Sequence, residues 1–416
     1  MKQSKLFTKT RKEAPKDEVA KNAQLLIRAG FINKELAGVY SYLPLGLIVL
    51  NKINNIIREE MNAIGGQELF LTTLQDKNIW EKTGRLSDEV VNNWFKTKLK
   101  NGGEVPMAFT HEEPITNLMR NHLHSFRDLP VFTYQLQTKF RNEERAKSGI
   151  MRGREFLMKD LYSFCRDVEE HNRFYEDAKQ AYFKIFKRVG LGEKTYLTFA
   201  SGGVFSKFSH EFQTLSVAGE DLIYVCDQCH LAVNKEVLTE QPTCPGCGNK
   251  DLREEKSIEV GNIFTLGEKF SEPLGLTYIN EKGEKQNVFM GSYGIGPGRL
   301  MGTIVELFAD EKGLVWPEAV TPFKVHLLQI GVSAKVKEKA EALYEDLKQQ
   351  GVAVLYDDRE LRPGEKFADA DLLGLPWRII ISEKALEAGL FEVKARTVEK
   401  AEVIKEKELV SFLTKK

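Results

Sequence analysis

The chain has 416 residues, with 60 Lys and Arg balanced by 60 Asp and Glu, and it is 42% apolar and 29% charged. That length exceeds one ordinary hydrophobic core, so two or more domains are expected. The composition is that of a soluble globular protein without low-complexity tracts. Zero net charge neither marks nor excludes a nucleic-acid binder, because affinity follows where Lys and Arg cluster.

The N-terminal stretch MKQSKLFTKTRKEAPKDEVAKN has no apolar signal core, and its acidic residues argue against a transit peptide. The longest mostly apolar run, Ala37 to Leu50, is too short for a bilayer helix and is broken by Pro44. A cytoplasmic location is therefore expected, with no membrane contact. Leu50, Ile53, Ile57, Met61 and Ile64 then form a helical stripe closed by Gly65-Gly66, and QELFL reads as a strand. PVFTYQLQTKFRNE and EFLMKDLYSFC read as long antiparallel strands, with Cys165 as a core residue. QNVFMGSYGIG reads as a strand leading into a helix at GRLMGTIVELFA. Together these give a large α+β domain.

Pro317 and Pro322 bracket a stretch that neither a helix nor a central strand would tolerate. Beyond it FKVHLLQIG, VAVLYDD and WRIIIS read as strands. Ser333 is expected to cap a helix carrying Val336, Ala340, Leu343 and Leu347 on one face. This is a small α/β domain. The expected division is 1–320 and 321–416.

The densest chemistry lies in FRNEERAKSGIMRGREF, residues 140–156. Arg141 and Glu143 would share a strand face, and so would Arg152 and Phe156 on the return strand. Arg donates paired hydrogen bonds to phosphate or carboxylate. A carboxylate accepts from an exocyclic amine, and Phe stacks on a base. By composition alone, a surface hairpin with ion pairs fits equally well. In GSYGIGPGR, Gly294 and Gly296 allow close backbone approach before Arg299 at a helix start. THEEPIT places Thr110 and Glu112 where a helix N-terminus would also put them. FSHEFQTL carries His210, and a lone His is more often a structural hydrogen-bonder.

The cysteines of CDQC and CPGC, Cys226, Cys229, Cys244 and Cys247, form two pairs in a long chain. This spacing favours a tetrahedral zinc site over disulfides. Only 26 residues separate Asn234 from Gly261. That is too few for a further domain without such a staple, so residues 222–257 are expected to form a zinc-ribbon-like insertion.

These segments resemble the prolyl-type class II aminoacyl-tRNA synthetases, over nearly the whole chain. FRNE…RGREF is similar to their motif two, GSYGIGPGR to motif three, and the helix and strand at 50–71 to motif one, with Thr72 where a Pro is usual. SKLF…LLIRAGFI…AGVYSYLPLG, FTHEEPIT and FSHEF narrow the resemblance to the prolyl type, although Phe205-Ser206-Lys207 stand where Gly-Gly-Ser is frequent. The resemblance implies a class II catalytic domain with an antiparallel sheet, a C-terminal anticodon-binding domain, and a homodimer. It implies ATP and Mg²⁺, with proline and tRNA(Pro) as partners. It also implies roles by position. Arg141 would hold the α-phosphate and the amino-acid carboxylate, Glu143 the adenine amine and Arg152 the γ-phosphate. Phe156 and Arg299 would stack on the two faces of adenine, and Thr110, Glu112 and His210 would form the proline pocket. VLYDDRELRPGEKFADADLLGLPWRIIIS resembles the anticodon-binding domain, with Asp357, Asp358, Arg359, Arg362 and Lys366 as contributors to its surface. The large editing domain that many bacterial relatives carry between motifs two and three is replaced by the cysteine segment. A threonyl-type enzyme, or a synthetase-like protein without catalysis, is the alternative. The prolyl-like N-terminus and the complete set of ATP ligands argue against both.

Overall fold

The computed structural model describes residues 1–203 and 205–415, and by contacts they form two units. One comprises Leu36–Val39 and Ile53–Thr303; the other comprises Met1–Glu35, Tyr40–Lys52 and Ile304–Lys416. Among the described residues, no helix is long and apolar enough to cross a membrane.

The larger unit is built on a nine-stranded sheet. From one edge the order is Asp221–Val225, Leu231–Asn234, Thr195–Ser201, Phe208–Leu215, Arg253–Gly267, Phe289–Ile295, Glu155–Cys165, Val131–Phe140 and Gln67–Glu68. The two long strands expected around FRNE pair antiparallel from Val131↔Phe164 to Phe140↔Glu155. Helix Val168–Arg188 covers one face. Its Tyr182 and Phe186 pack on Phe212, and Phe174 meets Tyr293 edge-on. Asp167 caps this helix by accepting from Glu170 N, and Lys187 and Arg188 close it, as the helix dipole favours.

The stripe from Leu50 to Met61 lies in helix Pro44–Ala63, and Ile64 falls in the turn just after it. Pro44 opens that helix, where its missing N–H costs nothing. At the other end Gly66 N donates to Met61 O (2.9 Å), with Gly65 at φ +85°, a left-handed helix stop. The strand expected at QELFL is shorter than its apolar pattern suggests. Only Gln67 and Glu68 pair with strand Val131–Phe140; Leu69 N still donates to Tyr134 O (2.8 Å), after which glutamine side chains replace the ladder. Gln135 Oε1 accepts from Leu71 N (3.1 Å), and Gln137 Nε2 donates to Leu71 O (2.5 Å).

The cysteine segment grows out of the catalytic sheet. Strand Asp221–Val225 pairs with Leu231–Asn234 and also with the start of Arg253–Gly267, so five strands close on themselves. Tyr196, Ile223, Val225 and Ala232 fill the interior of this ring.

The smaller unit holds a five-stranded sheet in the order Val354–Asp357, Val325–Ile330, Trp377–Ser382, Leu390–Ala395, Glu402–Lys405. The first three strands are parallel. Helix Ala334–Gln349 buries Val336, Ala340, Leu343 and Leu347, the stripe read from the sequence. Ser333 occupies the N-cap position, but its side chain makes no capping bond and its buried hydroxyl has no partner. The open edge at Val354–Asp357 is covered by the chain's own start. The Met1 amine donates to Val354 O (2.7 Å), and Lys2 bridges to Tyr356. Covering an edge in this way removes a template for unwanted pairing.

Candidate active site

A cavity of about 580 Å³ opens on the face of the large sheet away from helix Val168–Arg188. Strand ends and loops from both sequence motifs line it. Strand Val131–Phe140 stops one residue before Arg141, and the return strand begins at Glu155, so Arg141, Glu143 and Arg152 sit in the connecting loop rather than on strand faces. A tight turn causes this: Glu143 N donates back to Arg141 O (2.8 Å), while Arg141 N remains tied to Arg154 O (2.8 Å). The loop still brings the motif together. Arg152 bonds Glu143 (2.9 Å) and Glu220 (3.0 Å), and Ser148 donates to Glu220 (2.5 Å). Phe156, on the strand itself, lines the cavity.

Arg141 is the site's uncompensated charge. Its guanidinium carbon lies 4.9 Å from the Phe109 ring and 5.3 Å from the Phe156 ring. Among the described residues it forms no ion pair, and its buried Nε has no hydrogen-bond partner. Burial pulls its pKa down, and the nearby Arg299 adds to that. A cation left in this state favours an anionic ligand. Arg299 is aimed by donating to Met151 O (2.9 Å) and to Glu259 O (2.9 Å), and it pairs with the Glu259 carboxylate at 3.2 Å.

The opposite end of the cavity is acidic. Glu112, 2% exposed, opens helix Glu112–Met119. Thr110 does not cap that helix, whose N-cap is His111; instead its hydroxyl donates to Glu112 Oε2 (2.6 Å). Ser292 donates to Glu112 Oε1 (3.2 Å). Glu113 is buried beside it and held by Arg85 at 3.0 and 3.1 Å. Arg85 lies 3.6 Å from Glu112 and 5.3 Å from the Trp80 ring. Beneath these, Lys139 is buried between Asp160 (2.9 Å) and His111 Nδ1. Tyr162 and Gln135 donate to the same Asp160.

His210 does not line the cavity. It points to the helix-covered face, with Nδ1 2.8 Å from the Tyr175 hydroxyl, and burial pushes its pKa down to about 4. Its neighbour Glu211 points the other way, where Asn234 (3.0 Å) and Gln213 (2.9 Å) hold it and burial pushes it up to about 8. Sequence reasoning also missed Arg85, Glu220, Glu259 and Ser292. Ser292 lies within GSYGIGPGR, but nothing in that motif's spacing marks it as a partner of Glu112; Arg85, Glu220 and Glu259 sit in no motif recognisable by spacing, and only the fold brings them to the cavity.

The four cysteines converge as expected, with all four sulfurs within 4.8 Å of one another. Cys229 and Cys244 are 3.1 Å apart, and Cys226 and Cys247 3.6 Å apart. Four thiolates about 2.3 Å from one zinc would sit about 3.8 Å apart, so the set fits that ion.

In the smaller unit, the candidate anticodon residues are mostly engaged with each other. Asp357, fully buried, pairs with Arg359 at 2.7 Å, and Arg359 also pairs with Asp369 at 2.8 Å. Lys366, 1% exposed, donates to Gln329 O (2.7 Å) and Asp357 O (3.1 Å). Asp358 accepts from Ser4 N and Oγ. Arg362, exposed, stands at the N-cap of helix Pro363–Leu373.

Comparison with known proteins agrees with this architecture. Residues 95–308 match the tRNA synthetase class II core domain (G, H, P, S and T), and residues 319–416 match an anticodon binding domain. The chain is 39% identical over 429 residues to the proline–tRNA ligase of Wolbachia sp. subsp. Drosophila simulans (strain wRi), covering 100% of both. It is 37% identical to that of Caulobacter vibrioides (strain NA1000 / CB15N), covering 95% of each. In fold it is similar to a crystal structure of prolyl-tRNA synthetase from Cryptosporidium parvum complexed with L-proline and AMP. That match has a TM-score of 0.77 at 18% identity and covers 95% of this chain and 74% of that one. With full-length relatives at this identity and both domain models matched, the chain belongs to the prolyl-tRNA synthetase family of class II aminoacyl-tRNA synthetases.

Proposed function

We infer that the chain activates proline with ATP and transfers it to the 3′ end of tRNA(Pro). A carboxylate oxygen of proline attacks the α-phosphorus, and the bond to pyrophosphate breaks. A terminal ribose hydroxyl of the tRNA then attacks the carbonyl, and AMP leaves. No protein base is needed in the first step, because the nucleophile is already an anion.

The carrying observation is Arg141, a guanidinium without an anionic partner, set between an acidic end and an aromatic end of one cavity. At the acidic end Glu112, oriented by Thr110, receives the imino group of proline. Arg141 bridges the carboxylate and the α-phosphate, stabilising charge that grows in the transition state. At the far end Phe156 and Arg299 enclose adenine, Glu143 accepts from its amine, and Arg152 swings to the γ-phosphate. His210 acts from behind the sheet, buttressing the strand next to the pocket. Mg²⁺ accompanies ATP and offsets its phosphate charge; Glu220 and Glu259 offer the oxygen donors it takes. Residues 1–320 carry this chemistry and 321–416 read the anticodon. Zn²⁺ on Cys226, Cys229, Cys244 and Cys247 is structural, because protein fills all four positions. The assembly is a cytoplasmic homodimer. The exposed Phe70 of the motif-one segment and Leu74 just beyond it, 77% and 54% accessible, support a partner over this region.

The test is ATP–pyrophosphate exchange with each of the twenty amino acids in turn. Proline alone is expected to support it strongly; exchange with threonine instead would overturn the assignment.

A further inference from the structure

The loop joining strands Thr195–Ser201 and Phe208–Leu215 holds Phe205-Ser206-Lys207, the point at which the sequence departs from its relatives' frequent Gly-Gly-Ser. The loop closes on itself. Phe205 N donates to Gly202 O (2.9 Å), Gly202 N to Lys207 O (3.2 Å), and Ser206 Oγ to Phe208 O (2.7 Å). Gly202 is required there, since a Cβ would lie 2.2 Å from Ser206 O. This turn plants the Phe205 ring in the wall of the cavity.

Two contacts fix that ring at the acidic end. It packs on Phe264 (centroids 4.8 Å apart), and Phe264 stands opposite Ser292, the donor to Glu112. Arg85, clamped by Glu113, lies 5.2 Å from the same ring, close enough for a cation–π contact. A carboxylate and a stiff hydrocarbon wall therefore face one small volume. That is the complement of an amino acid whose charged nitrogen and apolar carbons lie side by side.

We propose that Phe205 is a specificity-determining residue for the amino acid: its ring packs on the side-chain carbons of the substrate and limits the ring size admitted. This rests on the reading that Glu112 receives the imino group of proline. Proline and alanine share the ammonium and carboxylate contacts, so a wall that touches ring carbons discriminates where the charges do not. One methylene in such a pocket is worth about 10–200-fold.

The experiment measures exchange kcat/KM for proline, alanine and the six-membered-ring homologue pipecolate. The parent enzyme is compared with Phe205→Ala, Phe205→Leu and Glu112→Gln. Ratios between substrates on one preparation do not depend on how much of a variant is folded. Phe205→Ala is expected to narrow the proline-to-alanine ratio by about tenfold or more and to raise pipecolate relative to proline by about as much. Phe205→Leu should fall between. Both ratios within threefold of the parent in both variants would overturn the proposal. Glu112→Gln separates the two levels. Proline-dependent exchange that survives it would remove the placement of proline on which the wall depends. Its loss alongside unmoved Phe205 ratios would reject the wall alone.

Discussion

Arg141 and Arg359 show opposite ways of burying an arginine. Arg359 is surrounded: Asp357 and Asp369 take its guanidinium at 2.7 and 2.8 Å, and burial of the cluster is compensated within the protein. Arg141 is enclosed by two aromatic rings and has no carboxylate against it. A buried ion costs several kcal/mol unless something pairs it. An arrangement that leaves the charge open therefore carries a cost in the free protein that a ligand removes. The closed cluster maintains the shape of the smaller unit, and the open one waits for an anion. The sequence resemblance implies a ligand contact for both arginines, the α-phosphate and carboxylate for Arg141 and the anticodon surface for Arg359, yet only the geometry separates a charge used for structure from a charge held for substrate.

The sharpest test removes each arginine in turn. Arg141→Ala should lower proline-dependent exchange by about 10²–10³-fold, the usual loss when one transition-state donor is removed. The thermal midpoint should hold or rise, because no protein partner is orphaned. A large drop in midpoint would mean that Arg141 is structural, and the contrast would fail. Next in size is the metal. Protein purified without added zinc should contain about one zinc per chain, and Cys244→Ser should abolish that content and lower the midpoint by several degrees. Absence of zinc with four titratable thiols would show instead a ribbon held by packing. Arg359→Met should then cost roughly 3–5 kcal/mol in denaturant unfolding, since it removes the paired guanidinium of the buried Asp357 and leaves it only a backbone N–H and Lys366 at 3.8 Å. An unchanged unfolding curve would break the comparison from the other side.

The smallest expected effect is on pH dependence. Burial holds His111, His171 and His210 down to about 4 in the larger unit, and His326 to about 3 in the smaller. Well above pH 6.5 these imidazoles are neutral in both folded and unfolded chains and contribute no slope. As pH falls from about 6.5 toward 4, the unfolded chain gains protons that the folded one does not, so stability is lost across that window. His171→Gln should flatten the slope by up to one proton. The measurement is urea unfolding at pH 7, 6 and 5; parallel curves for parent and variant would count against it.

Much of this was legible beforehand, for identifiable reasons. The paired long strands, the helical stripes Leu50–Met61 and Val336–Leu347, and the clustering of the cysteines are local patterns with strict periods or spacings. The apolar pattern overstates the strand at QELFL because Gln135 and Gln137 take over its later hydrogen bonds with side chains, which no period reports. The spacing puts Arg141 and Arg152 on strand faces because a turn two residues long is invisible in composition. Arg85 and Ser292, 207 residues apart in the chain, reach Glu112 only through folding. The resemblance of FSHEF puts His210 in the pocket and gives its neighbour Glu211 no role there. On a strand one residue decides the face, and the motif supplied the position without the direction.

The ring of five strands has a consequence for how this lineage tolerates change. Strand Asp221–Val225 enters the ribbon and strand Arg253–Gly267 leaves it, and the two are hydrogen-bonded neighbours in register from Asp221↔Ser257 to Val225↔Arg253. The ends of the intervening segment are thus held one strand spacing apart whatever lies between them. Lengthening a loop with fixed ends adds only about 0.6 kcal/mol per doubling. Genes could therefore gain or shed a whole module at this point, and the synthetic chemistry at the foot of the strands would register almost nothing. A small folded domain grafted between Glu240 and Gln241 should leave proline-dependent exchange within a few-fold of the parent. A collapse of exchange in a graft that still binds zinc would show that the ribbon is a working strut of the catalytic site and not a socket for cargo.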